Sequence, residues 1–186
     1  MARIPYLNPS DLAPENQDLL KRNINLYRIM AYNPEAQRAQ STVGSYIRFK
    51  TKLDPRLREL AILQVGYVAK SAYEYSHHAK IAQDFGVTKD DIRAVGEETA
   101  GRDTHLDPLA KAVLRAAREI AAGDLSDKSF AALRADLGNE VLVDLIMSIS
   151  FYCGIVRLLN AFRIDVEPDY APYLEEFPLP GVSAPE

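Results

Sequence analysis

The sequence predicts an all-α protein with a single domain. Apolar residues recur at helical spacing along most of the chain, Asn-Pro and Asp-Pro pairs mark helix starts, and we find no alternating pattern typical of a strand. The length of 186 residues, with 47% hydrophobic and 26% charged residues, fits one globular domain over residues 1–186. We place its helical core at about 15–165. The Pro-rich ends, at about 1–14 and 166–186, are predicted to run extended over the surface.

This periodicity predicts eight helices. They lie at about residues 14–32, 34–49, 55–69, 72–85, 89–95, 108–122, 127–136 and 139–162. Asn33, Asp54 and Asp107 each precede a proline at a predicted start, and Asn or Asp at the N-cap with Pro at the first helical position is a strong start signal. Thr88 and Ser126 are predicted caps of two other helices.

The last predicted helix is apolar on nearly every side. A helix of this kind must be buried all round, so we expect it at the centre of the domain, at a subunit interface, or both. Its longest uncharged apolar run, residues 145–156, is shorter than the roughly 20 residues needed to span a bilayer.

Charge and composition exclude several classes of function. The net charge is −4 and the Lys and Arg residues are scattered, so no basic surface for nucleic acid is predicted. The N-terminus lacks the basic and apolar regions of a secretory signal. We therefore expect a cytoplasmic protein with no nucleic-acid and no membrane partner. The single cysteine, Cys153, lies in an apolar stretch and is predicted to be a buried small hydrophobe without a disulfide.

Two adjacent histidines form the strongest candidate site. His77 and His78 follow Glu74 on the fourth predicted helix, and Glu74 and His78 are four residues apart, so their side chains meet on one face. A carboxylate beside an imidazole favours the charged ring and shifts its pKa toward the range of general acid–base catalysis. Ser71 extends the same face if the helix has begun there. A solvated Glu–His pair on the surface is the alternative.

Glu59 is a second unusual residue, because it precedes an almost uninterrupted apolar stretch of the third helix. A surface carboxylate is the alternative there. Glu74 and His77 have the spacing of one half of a helical di-iron site, but the remaining histidine, His105, has Arg102 where a second glutamate would stand. We therefore predict no metal site. The chain has no phosphate loop or dinucleotide motif, so we predict no cofactor.

Several segments of the sequence resemble one known superfamily. Asp-Pro-Arg-Leu-Arg-Glu-Leu-Ala-Ile-Leu at 54–63, Tyr-Glu-Tyr-Ser-His-His at 73–78 and Phe-Gly-Val-Thr at 85–88 resemble the carboxymuconolactone decarboxylase and alkylhydroperoxidase D-like superfamily. The segment 151–161, with Phe-Tyr at its start and Arg-Leu-Leu-Asn-Ala at its end, is similar to the longer, decarboxylase-named branch. The resemblance extends over about residues 15–168. It implies a helical bundle of the alkylhydroperoxidase D-like type that assembles into homo-oligomers, trimers or hexamers.

The resemblance also implies a proton relay. In the peroxidase branch a Glu and a His pass protons to a Cys-x-x-Cys pair. By spacing, these correspond to Glu59 and His78, and the two cysteine positions hold Ser71 and Glu74. Disulfide chemistry needs two sulfurs, and Cys153 lies in a different predicted helix, so peroxidase or peroxiredoxin-type activity is disfavoured.

In the decarboxylase branch, a small lactone carboxylate loses carbon dioxide without a cofactor. Carried over, this implies that His78 transfers the proton, that Glu59 or Glu74 sets its pKa and orientation, and that His77 shares the pocket. The candidate substrate-binding residues are Ser71, Tyr73, Tyr75 and Arg58. We thus predict a cofactor-free acid–base enzyme, a decarboxylase or related lyase, whose substrate is a small organic acid or lactone. A peroxidase-type activity and a non-catalytic oligomeric binding protein stay open as alternatives.

Overall fold

A computed structural model of the chain describes residues 1–182, and the regular secondary structure in this range is entirely helical. The α-helices of the described residues are α1 Asn25–Met30, α2 Pro34–Phe49, α3 Pro55–Val68, α4 Ala72–Ile81, α5 Lys89–Thr99, α6 Pro108–Ala122, α7 Asp127–Asp136, α8 Asn139–Phe162 and α9 Ala171–Glu176. Short 3-10 helices lie at Pro9–Asp11, Pro14–Leu20, Ala82–Phe85 and Pro168–Tyr170. The predicted all-α fold class is confirmed.

Side-chain caps form the predicted helix starts. The Asn33 side chain accepts a hydrogen bond from the backbone N–H of Ala36 at the start of α2. Asp54 accepts from the backbone N–H groups of Arg56 and Leu57 at the start of α3. These caps satisfy amides that the first helical turn leaves unpaired. The starts of α2 and α3 are therefore determined by local sequence.

The centre of the fold is α3. It packs against α4, α5, α6 and α8, and every residue from 57 to 66 is buried. Arg58, Glu59 and Gln64 are enclosed among its apolar residues. Burial of an unpaired charge is strongly unfavourable, so the enclosure of Arg58 and Glu59 indicates a built polar site within the core.

The last long helix, α8, is only partly enclosed, which differs from the expectation of burial all round. One face, including Leu145 and Ile149, packs on α3, α4, α6 and α7, while Val143 and Met147 on the other side are 62% and 37% exposed. The reason is that α3 takes the central position and α8 lies beside it. By length and composition α8 alone among the described helices could cross a membrane. The subunit interface predicted on this helix stays a prediction.

The helix predicted at 14–32 is divided in two. A 3-10 helix ends at Leu20, α1 begins at Asn25, and Ile24 between them has extended backbone with φ −97° and ψ 149°. Residues 21–23 are polar and exposed, so they have no apolar face that a continuous helix could bury.

The C-terminal segment is also more structured than predicted. Instead of running extended, it forms a 3-10 turn and α9, and both pack against α4. Leu174 and Phe177 are buried there, which explains why this segment folds back onto the domain. The end of the predicted segment, residues 183–186, lies outside the described range.

Candidate active site

A cavity of about 370 Å³ lies between α2, α3, α4 and α8. Its wall combines apolar side chains with charged groups from several elements. The arginine, glutamate and histidine residues that line it are Arg22, Arg48, Arg58, Glu59, Glu74, His77 and His78. A cavity of this size that joins apolar walls to converging titratable groups is typical of a small-molecule site.

An imidazole between two carboxylates forms one wall of the cavity. Glu59 Oε2 lies 2.7 Å from His78 Nδ1, and Glu74 Oε1 lies 3.1 Å from His78 Nε2. The first distance is that of a charge-assisted hydrogen bond. The second contact is close but poorly aligned, and it leaves Glu74 Oε1 without a hydrogen-bond partner among residues 1–182. We call these three residues the relay. Its Glu74 oxygen has unused capacity to bind a ligand.

Arg58 holds the Glu59 carboxylate in place. Its Nε–H donates to Glu59 Oε1 at 3.0 Å, and its Nη1–H donates to the Arg48 carbonyl at 3.1 Å. The guanidinium carbon lies 4.6 Å from the centroid of the Phe85 ring. Because Glu59 compensates its charge, Arg58 orients the relay. The substrate-binding role predicted for Arg58 would have to compete with this pairing.

Opposite charges in the relay stabilise each other's ionised forms. Burial by itself would lower the pKa of His78, but the Glu59 and Glu74 carboxylates outweigh it and raise that pKa to about 9. Burial by itself would raise the pKa of Glu59, but His78 and Arg58 hold it below its usual value. His78 is therefore a cation and Glu59 an anion at neutral pH.

Tyr152 of α8 stands over the relay. Its ring packs edge-on against His78, with 5.1 Å between the centroids. Burial, followed by the nearby carboxylates of Glu74 and Glu59, raises the pKa of the Tyr152 hydroxyl, so it stays protonated. This hydroxyl is a neutral hydrogen-bond donor in a residue that lines the cavity.

His77 lines the same cavity but is held by other groups. Its Nε2 lies 2.7 Å from Glu167 Oε2, and its ring is stacked between Tyr73 and Tyr170 at centroid distances of 4.1 and 3.5 Å. Burial lowers the pKa of His77, and Glu167 opposes this only in part. Glu167 also accepts from the Tyr73 hydroxyl at 3.0 Å. The C-terminal segment thus fixes the orientation of His77.

Known proteins share this architecture. Residues 34–119 match the sequence profile of the Carboxymuconolactone decarboxylase family. The debrominase Bmp8, in a complex with 2,3,4-tribromopyrrole, superposes with a TM-score of 0.81 at 18% identity, covering 95% of this chain and 100% of its own. A peroxidase-related protein with an alkylhydroperoxidase AhpD core, from Ralstonia eutropha JMP134, gives 0.76 at 17% identity, covering 93% and 95%. The match over residues 34–119 supports the predicted resemblance to the carboxymuconolactone decarboxylase and alkylhydroperoxidase D-like superfamily, and the solved structures show that the fold is of that type.

A third structure, of a peroxidase-related protein from Silicibacter sp. TM1040, has a TM-score of 0.72 at 18% identity, covering 90% of this chain and 92% of its own. No curated protein matches the chain in sequence. At these identities the structural likeness establishes the fold, and the chemistry must be argued from the residues of the cavity.

All four predicted acid–base residues line one cavity, as do the predicted binding residues Arg58 and Tyr73. Two other predicted binding residues lie outside it. Ser71 caps α4, where its hydroxyl accepts from the Glu74 backbone N–H at 3.4 Å. Tyr75 packs against Tyr67, with 5.7 Å between the ring centroids. It follows Tyr73 by two residues, so it projects from the opposite side of α4.

The sequence did not predict four other residues at the site. Tyr152, Arg48 and Gln40 line the cavity, and Glu167 anchors His77. One signal was available, because Gln40, Ser41, Gly44, Ser45 and Arg48 recur at helical spacing along α2. No local pattern links Glu167 to His77, since 90 residues separate them.

Sulfur chemistry has no support at the cavity. Its wall contains no cysteine among the described residues, and the two positions at which the resemblance would place cysteines hold Ser71 and Glu74. Cys153 is buried beside a different cavity, with Val65 and Arg157. Burial raises the pKa of its thiol, so the reactive thiolate is disfavoured. Within residues 1–182, no group of three or more His, Cys, Asp and Glu is arranged to hold a metal ion.

Proposed function

We propose that this protein is a cofactor-free acid–base enzyme, a decarboxylase or related lyase that acts on a small organic acid or lactone. The observation that carries the proposal is an imidazole held between two buried carboxylates in the wall of a cavity. Against the effect of burial, these carboxylates raise the pKa of His78 to about 9, which favours its protonated form at neutral pH. Such a group can both stabilise negative charge and deliver a proton, which are the two requirements of this reaction.

The reaction needs one proton and no redox partner. Loss of carbon dioxide breaks the bond between the carboxyl carbon and the lactone ring, and the electron pair moves onto the ring and its carbonyl oxygen. Protonation of the ring carbon completes the step. His78 supplies this proton from Nε2, the ring nitrogen that faces Glu74 Oε1 at 3.1 Å without an aligned hydrogen bond. Water returns a proton to His78, so each turnover consumes one proton.

Both ring nitrogens of His78 face carboxylates, and this supports different roles for the two glutamates. Glu59 is bound by Arg58 and by Nδ1, so it keeps His78 charged and oriented. Glu74 Oε1 has no such hydrogen bond, so it can contact a ligand that lies beside His78 Nε2. We assign His78 as the proton donor, Glu74 as the carboxylate that faces the ligand beside it and Glu59 as a positioning residue.

The proposal can be tested with butenolide and γ-butyrolactone carboxylates as substrates, by measuring carbon dioxide release. We expect Glu74→Gln and His78→Gln to lower turnover by about 100-fold or more, the usual contribution of general acid–base catalysis. Glu97→Gln, which alters an exposed pair with Arg102, is the matched control. Wild-type turnover in both folded relay variants would remove the relay from the mechanism.

The two alternatives have separate readouts. A peroxidase that depends on sulfur would lose peroxide consumption in Cys153→Ser, whereas a relay enzyme would not. A non-catalytic oligomer would turn over none of the carboxylates and would form a stable trimer or hexamer by light scattering.

A further inference from the structure

The cavity gathers polar atoms that have no hydrogen-bond partner. Among residues 1–182, the buried side-chain atoms of cavity-lining residues that lack a hydrogen bond are Gln40 Oε1, Arg48 Nε, Arg58 Nη2 and Glu74 Oε1. Arg58 Nη2 and Glu74 Oε1 still contact charged groups, Glu59 at 3.0 Å and His78 at 3.1 Å, whereas Gln40 Oε1 and Arg48 Nε have neither a hydrogen bond nor an ion pair. Buried polar atoms are nearly always partnered, so their concentration around one cavity indicates a polar ligand. Arg58 and Glu74 belong to the wall that contains the relay. Gln40 and Arg48 belong to a different wall, formed by α2.

The α2 wall presents small and polar side chains to the cavity. Gln40, Ser41, Gly44, Ser45 and Arg48 lie one and two turns apart, so they share one face of the helix. A face that packs against a protein core is normally apolar. This face is therefore suited to a polar group of a ligand.

Arg48 is the cation of this wall that lacks a carboxylate partner. Glu59 pairs with Arg58, and Glu59 and Glu74 flank His78, whereas no acidic side chain of the described residues pairs with Arg48. Arg22, which is exposed, adds a further positive charge at the cavity. When His78 is protonated, the lining carries four positive charges against two negative ones. The surplus favours an anionic ligand.

The position of Arg48 is linked to that of the relay. Its guanidinium carbon lies 5.5 Å from the Phe85 centroid, and the Arg58 guanidinium packs on the same ring. The Arg48 carbonyl also accepts from Arg58 Nη1. A ligand group bound by Arg48 is therefore held in a defined place relative to Glu59 and His78.

We propose that Arg48, assisted by Gln40, is a specificity-determining subsite that binds a carboxylate of the ligand while the relay acts on another part of it. The subsite rests on the proposed function for its role in turnover. Its ligand binding can be measured without turnover, because the guanidinium supplies N–H donors that match a carboxylate.

The test uses benzoate and benzamide, two probes of nearly the same shape that differ in charge, with binding measured by titration calorimetry. We expect the wild-type protein to bind benzoate and to bind benzamide much more weakly. Arg48→Gln should weaken benzoate binding about tenfold or more, the effect of losing a charged hydrogen bond, and Arg48→Lys should restore part of it. Arg134→Gln, at an exposed site on α7, is the matched control and should bind like the wild type.

Any of three results would overturn the proposed subsite. These are equal affinity for benzoate and benzamide, no benzoate binding at millimolar concentration, and wild-type benzoate affinity in Arg48→Gln. If Arg48→Gln fails to fold, Gln40→Glu replaces it, because a carboxylate there should repel benzoate and leave benzamide binding unchanged. Benzoate binding that depends on Arg48, with no turnover of any lactone acid, would support the subsite and reject the proposed reaction. The two proposals are thus separable.

Discussion

The most informative perturbation of the relay is Glu59→Gln. Gln has nearly the same shape as Glu, and its amide oxygen can still accept from Arg58. It cannot supply the negative charge that keeps His78 protonated through the 2.7 Å contact with Nδ1. We expect the pKa of His78 to fall, because burial continues to lower it and Glu74 alone remains to raise it.

The size of the effect follows from the His78 pKa. Raising it from the usual 6.5 to about 9 stabilises the folded, protonated protein by about 3 kcal/mol. This stabilisation is complete below the unfolded pKa and is lost as pH rises through about 9. Glu59 has a lowered pKa, so its contribution is present above the usual value of 4.5 and is lost at acidic pH. Glu59→Gln removes the carboxylate opposite Arg58 at every pH, but the part that depends on His78 should make the loss of stability larger at pH 7 than at pH 10, by on the order of 3 kcal/mol.

Urea unfolding at pH 7 and pH 10, at one protein concentration, measures this difference, and an NMR titration of the histidines measures the pKa. Glu97→Gln, in an exposed ion pair, should change neither. The groups facing His78 are Glu59 and Glu74, with Tyr152 against the ring. A destabilisation that is equal at both pH values would refute the claim that His78 charge carries it.

Three further predictions concern His78, the pair formed by Glu167 and His77, and Cys153. Turnover should decline as pH rises through about 9, because His78 loses its proton, and a pH–rate profile that stays flat to pH 10.5 would contradict this. Glu167→Gln should destabilise the fold by about 2 kcal/mol, because His77 loses a charged partner. The loss would be seen as a lower melting temperature, and an unchanged melting temperature would show that the pairing is unimportant. Cys153→Ser should leave turnover unchanged and cost about 1 kcal/mol of stability, since it buries a hydroxyl, and a large loss of turnover would implicate the thiol.

Local chemistry explains what the sequence could predict. Asn33 and Asp54 are caps because their short side chains reach amides two or three residues ahead, so α2 and α3 begin where predicted. Glu74 and His78 meet because they are four residues apart on one helix. Glu59 and His78 pair across two helices, α3 and α4. Spacing alone could not distinguish Glu59 from a surface carboxylate, and the pairing was suggested by the family resemblance.

The same local reasoning was wrong where it did not consider which side of a helix each residue projects from. Tyr73 and Tyr75 were both expected at the pocket, but residues two apart on a helix point to opposite sides, and only Tyr73 lines the cavity. Ser71 would extend the face of Glu74 only if the helix had begun there, but α4 begins at Ala72 and Ser71 is its N-cap. The break before Ile24 was missed because apolar spacing continues across the polar residues.

By itself, the sequence determined the helical class, most helix starts, and the presence of a carboxylate–imidazole pair without a partner cysteine. These depend on contacts between residues close in the chain. Only the tertiary structure decided that α3 is central, that Arg48 and Tyr152 share the cavity with the relay, and that Glu167 holds His77. Each of these depends on how helices distant in sequence pack together, and packing is decided by the burial of the whole chain.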